Sequence, residues 1–292
     1  MIEEIFGWFV DPYQFEFMQR ALIVLLLVSV VGGIVGTFVV HKGLAFSGDA
    51  LAHSTLAGVA IAFVNGASVG IGALVAAVAT ALGIGWVQGR SRVSYDTAIG
   101  VLFVAMFSLG ILVISRRSQY TPDLFSFVFG NILGVSQQDI WGALILGTAT
   151  LLFVGVFRRE LIMVAYDPST AATVGVPVNF FRYALLVLIA VAVVVALKGI
   201  GIVLVNAMLI VPAATASLLF RQINQIMLLA VCIAAVSSVI GLHVSFYANV
   251  ATSPAIVLVA CGMFVVALVT VSGRRSSLPL TEDATSDRVD MS

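Results

Sequence analysis

The chain has 292 residues, of which 61% are hydrophobic and only 10% charged; 14 Lys and Arg balance 14 Asp and Glu, and the mean hydropathy is +1.15. No aqueous globule of this length hides so much apolar surface, so composition excludes a soluble protein and implies an integral membrane protein built of helices. No stretch is basic enough to recruit nucleic acid, and Cys232 and Cys261 lie in apolar runs where they read as small hydrophobes rather than as a disulfide or thiolate ligands.

The opening MIEEIFGWFVDPYQFEFMQR carries Glu3, Glu4, Asp11 and Glu16 where a cleavable signal would carry positive charge, and the apolar run after it is too long for an h-region. Residues 1–17 are expected to remain attached and to lie along the membrane interface, with Trp8, Phe9 and Tyr13 at headgroup depth. A transmembrane domain is expected over residues 18–272. Uncharged runs of about 18 to 22 residues, enough to cross roughly 30 Å of hydrocarbon at 1.5 Å per residue, occur at Ala21–Val40, Val69–Val87, Thr97–Ser115, Ile140–Phe157 and Gly199–Phe220. Leu44–Val64 joins them despite Asp49 and His53, and Asn179–Leu197 joins them with Arg182 at its end. Beyond Arg221 there is room for two more spans, broken near His243–Pro254 by the polar SFYANVATSP. The fold class is therefore all-α, a bundle of about nine (eight to ten) transmembrane helices.

Positive charge orients the bundle. With the N-terminus outside, the inner segments hold Lys42, Arg90, Arg92, Arg158, Arg159, Arg182, Arg221, Arg274, Arg275 and Arg288, against Arg20, Arg116, Arg117 and Lys198 outside. Residues 273–292, rich in Ser, Thr and Asp, are expected to form a disordered cytoplasmic tail. Small residues at small-xxx-small spacing, such as Gly32 with Gly36 and Gly66 with Gly70, are expected to let helices approach closely.

Within SGDALAHSTLAG, Asp49 and His53 stand four apart and so share one helical face, offering a carboxylate and an imidazole to one point. An ionisable pair in a span is costly and marks function. Mixed O and N ligation suits Mn, Fe or Zn rather than Mg or Ca, and a transported ion requires a ligand set it can leave. The competing reading is a buried polar pair bonded to neighbouring helices. His243, at the outer end of its span, is the weaker metal candidate and a possible outer-gate contact. Asp96 reads as a helix cap that could gate the inner mouth. Pro212 interrupts a span and is expected to kink it, statically or as a hinge. In AYDPSTAATVGVP, Asp167 is placed to cap a short helix, Pro168 to start it, and Gly175 with Pro177 to end it. Ser169, Thr170, Ala171, Ala172, Thr173 and Val174 fill that helix, which is too short and polar to cross and belongs on the cytoplasmic surface, as an ordinary loop helix or as a docking element. No GxxxxGK[ST] or HExxH motif occurs.

SGDALAHSTLAGVAIAF resembles the GDALSHAxLxGVAL-type signature of the metal-type ABC importer permeases, which carry manganese, zinc or iron. YDTAIGVLF at Tyr95, FGNILGVSQQD at Phe129 and GIGIVLVNAMLIVPAATA at Gly199 agree in the same order, and the likeness runs from Phe15 to Thr270. This resemblance implies a transport subunit rather than an enzyme, working as a homodimer with the path at the two-fold axis. It implies two separate ABC ATPase subunits on the cytoplasmic side, an extracytoplasmic metal-binding protein that delivers the ion, and a prokaryotic plasma-membrane location, in which the charge bias puts the N-terminus outside and the C-terminus in the cytoplasm. The divalent ion, Mn2+ favoured with Zn2+ or Fe2+ as alternatives, is cargo, and no permanently bound cofactor is implied. Asp49 and His53 fall on the acid and histidine that line the family's ion path, and Asp167–Pro177 on its coupling helix. The chain departs from the family at FYANVATSP, where Asn249 replaces an acid and Pro254 stands near the usual Gly, and at Leu56–Ala57, where manganese-type members often have Pro. A proton-coupled secondary metal transporter is the alternative, but it would show internal repeats and broken helices in matching halves. An intramembrane aspartyl protease is remote, because Gly48–Asp49 and Tyr95–Asp96 stand in the wrong order for its motifs.

Overall fold

The computed structural model describes residues 11–90, 92–115 and 132–276. Trp8 and Phe9 of the expected interfacial segment, Arg116, Arg117, the first residues of FGNILGVSQQD and the tail from residue 277 lie outside the described residues. Among the described residues every regular element is helical. The α-helices are α1 (Glu16–His41), α2 (Ala45–Val64), α3 (Val69–Arg90), α4 (Tyr95–Ser115), α5 (Gln137–Val156), α6 (Arg158–Tyr166), α7 (Pro168–Thr173), α8 (Val178–Ile200), α9 (Ile202–Leu219), α10 (Ile223–Ala248) and α11 (Thr252–Ser276). All but α6 and α7 are long and apolar enough to cross a membrane, which makes 9 such helices among the described residues. The protein is an all-α membrane bundle.

Contacts sort the helix ends into two layers. At one end the His41 and Tyr166 rings lie 4.2 Å apart, the Tyr166 hydroxyl donates to the Arg221 carbonyl, and Arg182 Nη1 donates to Gln88 Oε1 at 2.9 Å. That end, which carries α6 and α7, is the one expected to be cytoplasmic. At the other end Tyr13 stands edge-on to His243, Phe15 meets Phe246, and the Ser253 hydroxyl donates to the Ile200 carbonyl. With nine such helices among the described residues, α1 begins at this second end and α11 finishes at the first.

Packing shows which helices are central. α1 buries Leu25, Val28, Val35 and Phe38, and α8 buries Leu186, Ile189, Ala190 and Val193, so these two form the middle of the bundle. α4, α5 and α11 lie outside and point Val101, Ile145 and Leu258 outward, as expected of helices that face lipid or another subunit. Some elements differ from expectation. α6 is an additional helix within the inner segment; it buries Leu161, Val164 and Ala165 and turns Arg158 and Arg159 outward. α11 runs on to Ser276, past the expected start of the tail. α10 continues through His243 to Ala248 and stops at Asn249, which takes a left-handed φ of 53°.

Glycine lets the backbones meet. A Cβ on Gly36 of α1 would lie 1.9 Å from the Leu209 carbonyl oxygen of α9, and one on Gly32 would lie 3.2 Å from the Met208 oxygen. Pro212 removes the donor that the Met208 carbonyl would otherwise receive, and Gly32 covers that freed group with protein rather than lipid. Gly58 of α2 and Gly72 of α3 make a reciprocal contact, where added Cβ atoms would fall 1.9 and 2.3 Å from the opposing carbonyls. Gly66, expected to act with Gly70 as a packing pair, instead has a φ of 65° in the turn after α2, with no neighbour against it. There Gly66 N–H reaches Phe63 O and Ala67 N–H reaches Ala62 O, which closes the helix. Between α8 and α9 the whole reversal is carried by Gly201, whose φ of 79° and ψ of 163° suit glycine alone.

Gly36→Ala should lower thermal stability in detergent by about 2 kcal/mol or more, since the carbonyl opposite belongs to backbone. The matched Gly262→Ala, which meets nothing within 4 Å, should be neutral or slightly stabilising. Equal unfolding temperatures for the two variants would contradict the crossing described for α1 and α9.

Candidate metal centre

α2 begins at Ala45 and is amphipathic by polarity rather than by hydropathy. Its inward face carries Ser47, Ser54 and Thr55, and each hydroxyl donates to a carbonyl three residues back: Leu44 O at 2.6 Å, Leu51 O at 2.8 Å and Ala52 O at 2.5 Å. These hydroxyls are satisfied within the helix. The outward face carries Phe46, Asp49 and His53.

His53 Nε2 lies 3.6 Å from Asp49 Oδ1, so the four-residue spacing brings carboxylate and imidazole together as expected. Their side chains are 52% exposed for Asp49 and 24% for His53. The pair therefore opens to the surface of the single bundle and is not sealed in dry packing. The His53 ring stands edge-on to Phe103 at 5.5 Å and to Phe107 at 5.8 Å, and those two rings of α4 stack on each other. This aromatic wall fixes the plane of the imidazole while leaving Nε2 toward Asp49.

A third group comes from α9. Asn206 Nδ2 donates to Asp49 Oδ1 at 2.7 Å, while Asn206 Oδ1 is buried without a donor. The approach depends on Gly48, where a Cβ would come within 2.9 Å of that oxygen. Among the described residues no group of three His, Cys, Asp or Glu could hold a metal. The arrangement instead offers a carboxylate and an imidazole as one hard oxygen and one nitrogen donor, with the Asn206 carboxamide N–H holding the carboxylate in place. Reasoning from charge alone passes over Asn206, although a carboxamide inside an apolar run is a signal of the same kind.

The other candidates lie apart from this centre. His243 is 4% exposed at the opposite end, where its Nδ1 is 2.9 Å from the Val239 carbonyl and 3.4 Å from the Tyr13 hydroxyl. Asp96 is exposed in the first turn of α4, but the cap is Ser94, whose hydroxyl oxygen accepts from Thr97 N at 3.2 Å. Pro212 lies within α9, six residues after Asn206.

α7 forms as the sequence predicts. The Asp167 carboxylate accepts from Ser169 N at 2.9 Å and Thr170 N at 3.2 Å, and from both of their hydroxyls, and these bonds hold it well below the ordinary carboxylate range. Pro168 occupies the first turn. Gly175, at φ 83°, completes a Schellman closure in which Gly175 N donates to Ala172 O and Val176 N to Ala171 O. Only Ala171 is buried; Pro168, Ser169, Thr170, Ala172, Thr173, Val174 and Gly175 are exposed.

The chain is similar to known proteins over most of its length. The model of the ABC 3 transport family matches residues 14–271. A manganese transport system membrane protein MntC of Listeria innocua is 42% identical over 254 residues, 87% of this chain and 90% of the relative. A probable iron transport system membrane protein of Haemophilus influenzae is 34% identical over 264 residues, 90% of this chain and 97% of the relative. The solved structure of PsaBC from Streptococcus pneumoniae in complex with Fab superposes with a TM-score of 0.79 at 38% identity, covering 92% of this chain and 95% of that one.

The Asp167 cap has a definite pH dependence. Because its carboxyl titrates below its ordinary value of 3.8 in the folded chain, the cap contributes fully above that value and is lost as pH falls beneath it. Amide exchange, corrected for intrinsic rates, should show Thr170 equally protected from about pH 8 to about pH 5. Asp167→Ala should abolish that protection while α1 and α8 keep theirs; unchanged exchange at Thr170 would refute the capping role.

Proposed function

This chain belongs to the ABC 3 transport family, the metal-type ABC importer permeases, and we propose that it draws a divalent transition metal into the cytoplasm by alternating access, driven by ATP hydrolysis in a separate partner. The observation that carries this reading is the meeting of Asp49, His53 and Asn206 at one exposed point on a membrane helix. The cargo is Mn2+ in preference to Zn2+ or Fe2+. The support for that preference is that the Listeria innocua relative is named for manganese, and a carboxylate with a single imidazole accepts Mn2+. The metal is cargo, and this subunit is the path rather than the catalyst.

The exposure of Asp49 supports a homodimer. A charged carboxylate facing lipid costs about 2.5–3.5 kcal/mol, so the face formed by α2 and α4 belongs against a second copy of the chain, with water and the ion between them. Two such centres then flank one conduit in a homodimer. Two ATPase subunits dock on the exposed surface of α7, and an extracytoplasmic metal-binding protein delivers the ion at the end carrying Tyr13 and His243. Positive charge puts α7 and the C-terminal end of α11 in the cytoplasm of a bacterial cell and the N-terminus outside. Pro212, three residues beyond the Gly36 crossing at Leu209, is the hinge about which α9 carries Asn206 toward or away from Asp49. His243 with Tyr13 forms the outer contact that opens for delivery, and Asp96 lies at the inner mouth.

The test is uptake of radiolabelled Mn2+ into proteoliposomes holding the permease with its ATPase. Asp49→Ala and His53→Ala should each abolish ATP-driven uptake without lowering folded yield. Asn206→Ala should reduce it by about tenfold or more, as expected when a ligand loses the group that orients it. Uptake undiminished in both single variants, or driven by a pH gradient with no ATP, would overturn the reading.

A further inference from the structure

We propose that the cavity between the α6–α7 segment and the adjoining ends of α1, α3, α4 and α8 binds the phosphate headgroup of an anionic phospholipid. The cavity measures about 240 Å³ and has two kinds of wall. Phe181 and Leu185 belong to its larger apolar part; Lys42, Gln88, Tyr95 and Arg182 form its polar part. Two cations line it and no carboxylate does. Among the described residues neither cation has an ion-pair partner, the pairs there being Arg20 with Glu16 and His53 with Asp49.

Arg182 is held but not satisfied. Its Nη1 is committed to Gln88 Oε1 and the guanidinium also bonds the Tyr95 hydroxyl, whereas its Nε–H is buried with no acceptor. A buried guanidinium N–H without an acceptor is costly, and a phosphate oxygen is the acceptor that guanidinium geometry fits best. Burial also pulls the Lys42 ammonium below its ordinary range, as happens when a cation is desolvated without a counter-charge. An anion brought into the cavity would correct both deficits at once.

Depth and size point to a lipid as the source of that anion. Trp86 is exposed near the end of α3 with the Arg90 guanidinium 5.2 Å over its ring, and Phe180 is exposed in the first turn of α8. Aromatics paired with cations at helix ends mark the headgroup layer. The cavity has room for a headgroup but not for acyl chains, which would leave along the apolar flank of the bundle. Basic pockets between spans on the cytoplasmic side take anionic headgroups in this manner. Pro168, the first residue of α7, lines the same cavity, so an occupied headgroup would touch the segment that docks the ATPase.

The test is native mass spectrometry of the full chain, delipidated in detergent and titrated with phosphatidylglycerol, phosphatidylcholine or inorganic phosphate. Phosphatidylglycerol should bind preferentially, and Arg182→Gln and Lys42→Gln should each weaken it by about fivefold. Arg90→Gln, which removes a nearby cation outside the cavity, should leave that affinity unchanged. Equal binding of phosphatidylcholine, or undiminished phosphatidylglycerol binding in both cavity variants, would overturn the proposal. So would inorganic phosphate binding as tightly as the lipid, which would make the cavity a free-phosphate site. If Arg182→Gln fails to fold after losing its bond to Gln88, Lys42→Gln decides the question alone.

Discussion

A carboxylate within a hydrocarbon layer must be hydrogen-bonded, paired or wetted, and the arrangement around Asp49 follows from that requirement. The bond from Asn206 meets part of it, and that bond is possible only because three glycines are where they are. Gly32 and Gly36 bring α1 against the α9 backbone at Met208 and Leu209, one turn from Asn206, and Gly48 leaves the space into which the carboxamide reaches. The close crossing of α1 and α9 and the chemistry at Asp49 are therefore one structural fact. Crowding the crossing would displace Asn206, and losing Asn206 would leave Asp49 dependent on water or on an ion.

The polar groups of the bundle divide by how they are satisfied. Ser29, Thr37, Ser47, Ser54, Thr55 and Thr80 return their hydroxyl protons to carbonyls of their own helices, so they cost little and are silent. Among the described residues Asn206 Oδ1, Arg182 Nε and Glu160 Oε2 are buried and unmet. The first adjoins the Asp49–His53 pair, the second lines the cavity that also holds Lys42, and the third lies on α6. Lys42 stands just before α2, the helix that carries Asp49, so neutralising it would also ease the approach of a cation to that helix from the same end.

Much of the architecture is legible in the residues because a bilayer imposes a length rule. Runs lacking charge for about 20 residues can do little but span, and the spans over Leu44–Val64 and Val69–Val87 agree with α2 and α3 almost to the residue. The Asp49–His53 pair is equally legible, since i and i+4 on a helix need no tertiary information. What escapes is what depends on distant segments. Asn206 acquires meaning only when α9 lies beside α2, 157 positions away along the chain. Gly66 and Gly36 look alike in spacing, yet one supplies a left-handed turn and the other a close crossing. α6 hides behind its Arg158–Arg159–Glu160 start, because a charged opening resembles a loop until Leu161, Val164 and Ala165 are seen to pack inward.

The six residues from Pro168 to Thr173 end in caps that they and their immediate neighbours provide, at Asp167 on one side and at Gly175 and Val176 on the other. A segment so short ordinarily unravels when pushed, dissipating displacement as fraying. Closed at both ends, with Ala171 buried and Pro168 lining the cavity beneath, this one is built to keep its shape as a stud in a shallow socket. If the segment docks a partner as proposed, a push on its outer surface would reach the membrane helices beneath by tilting the stud rather than by deforming it.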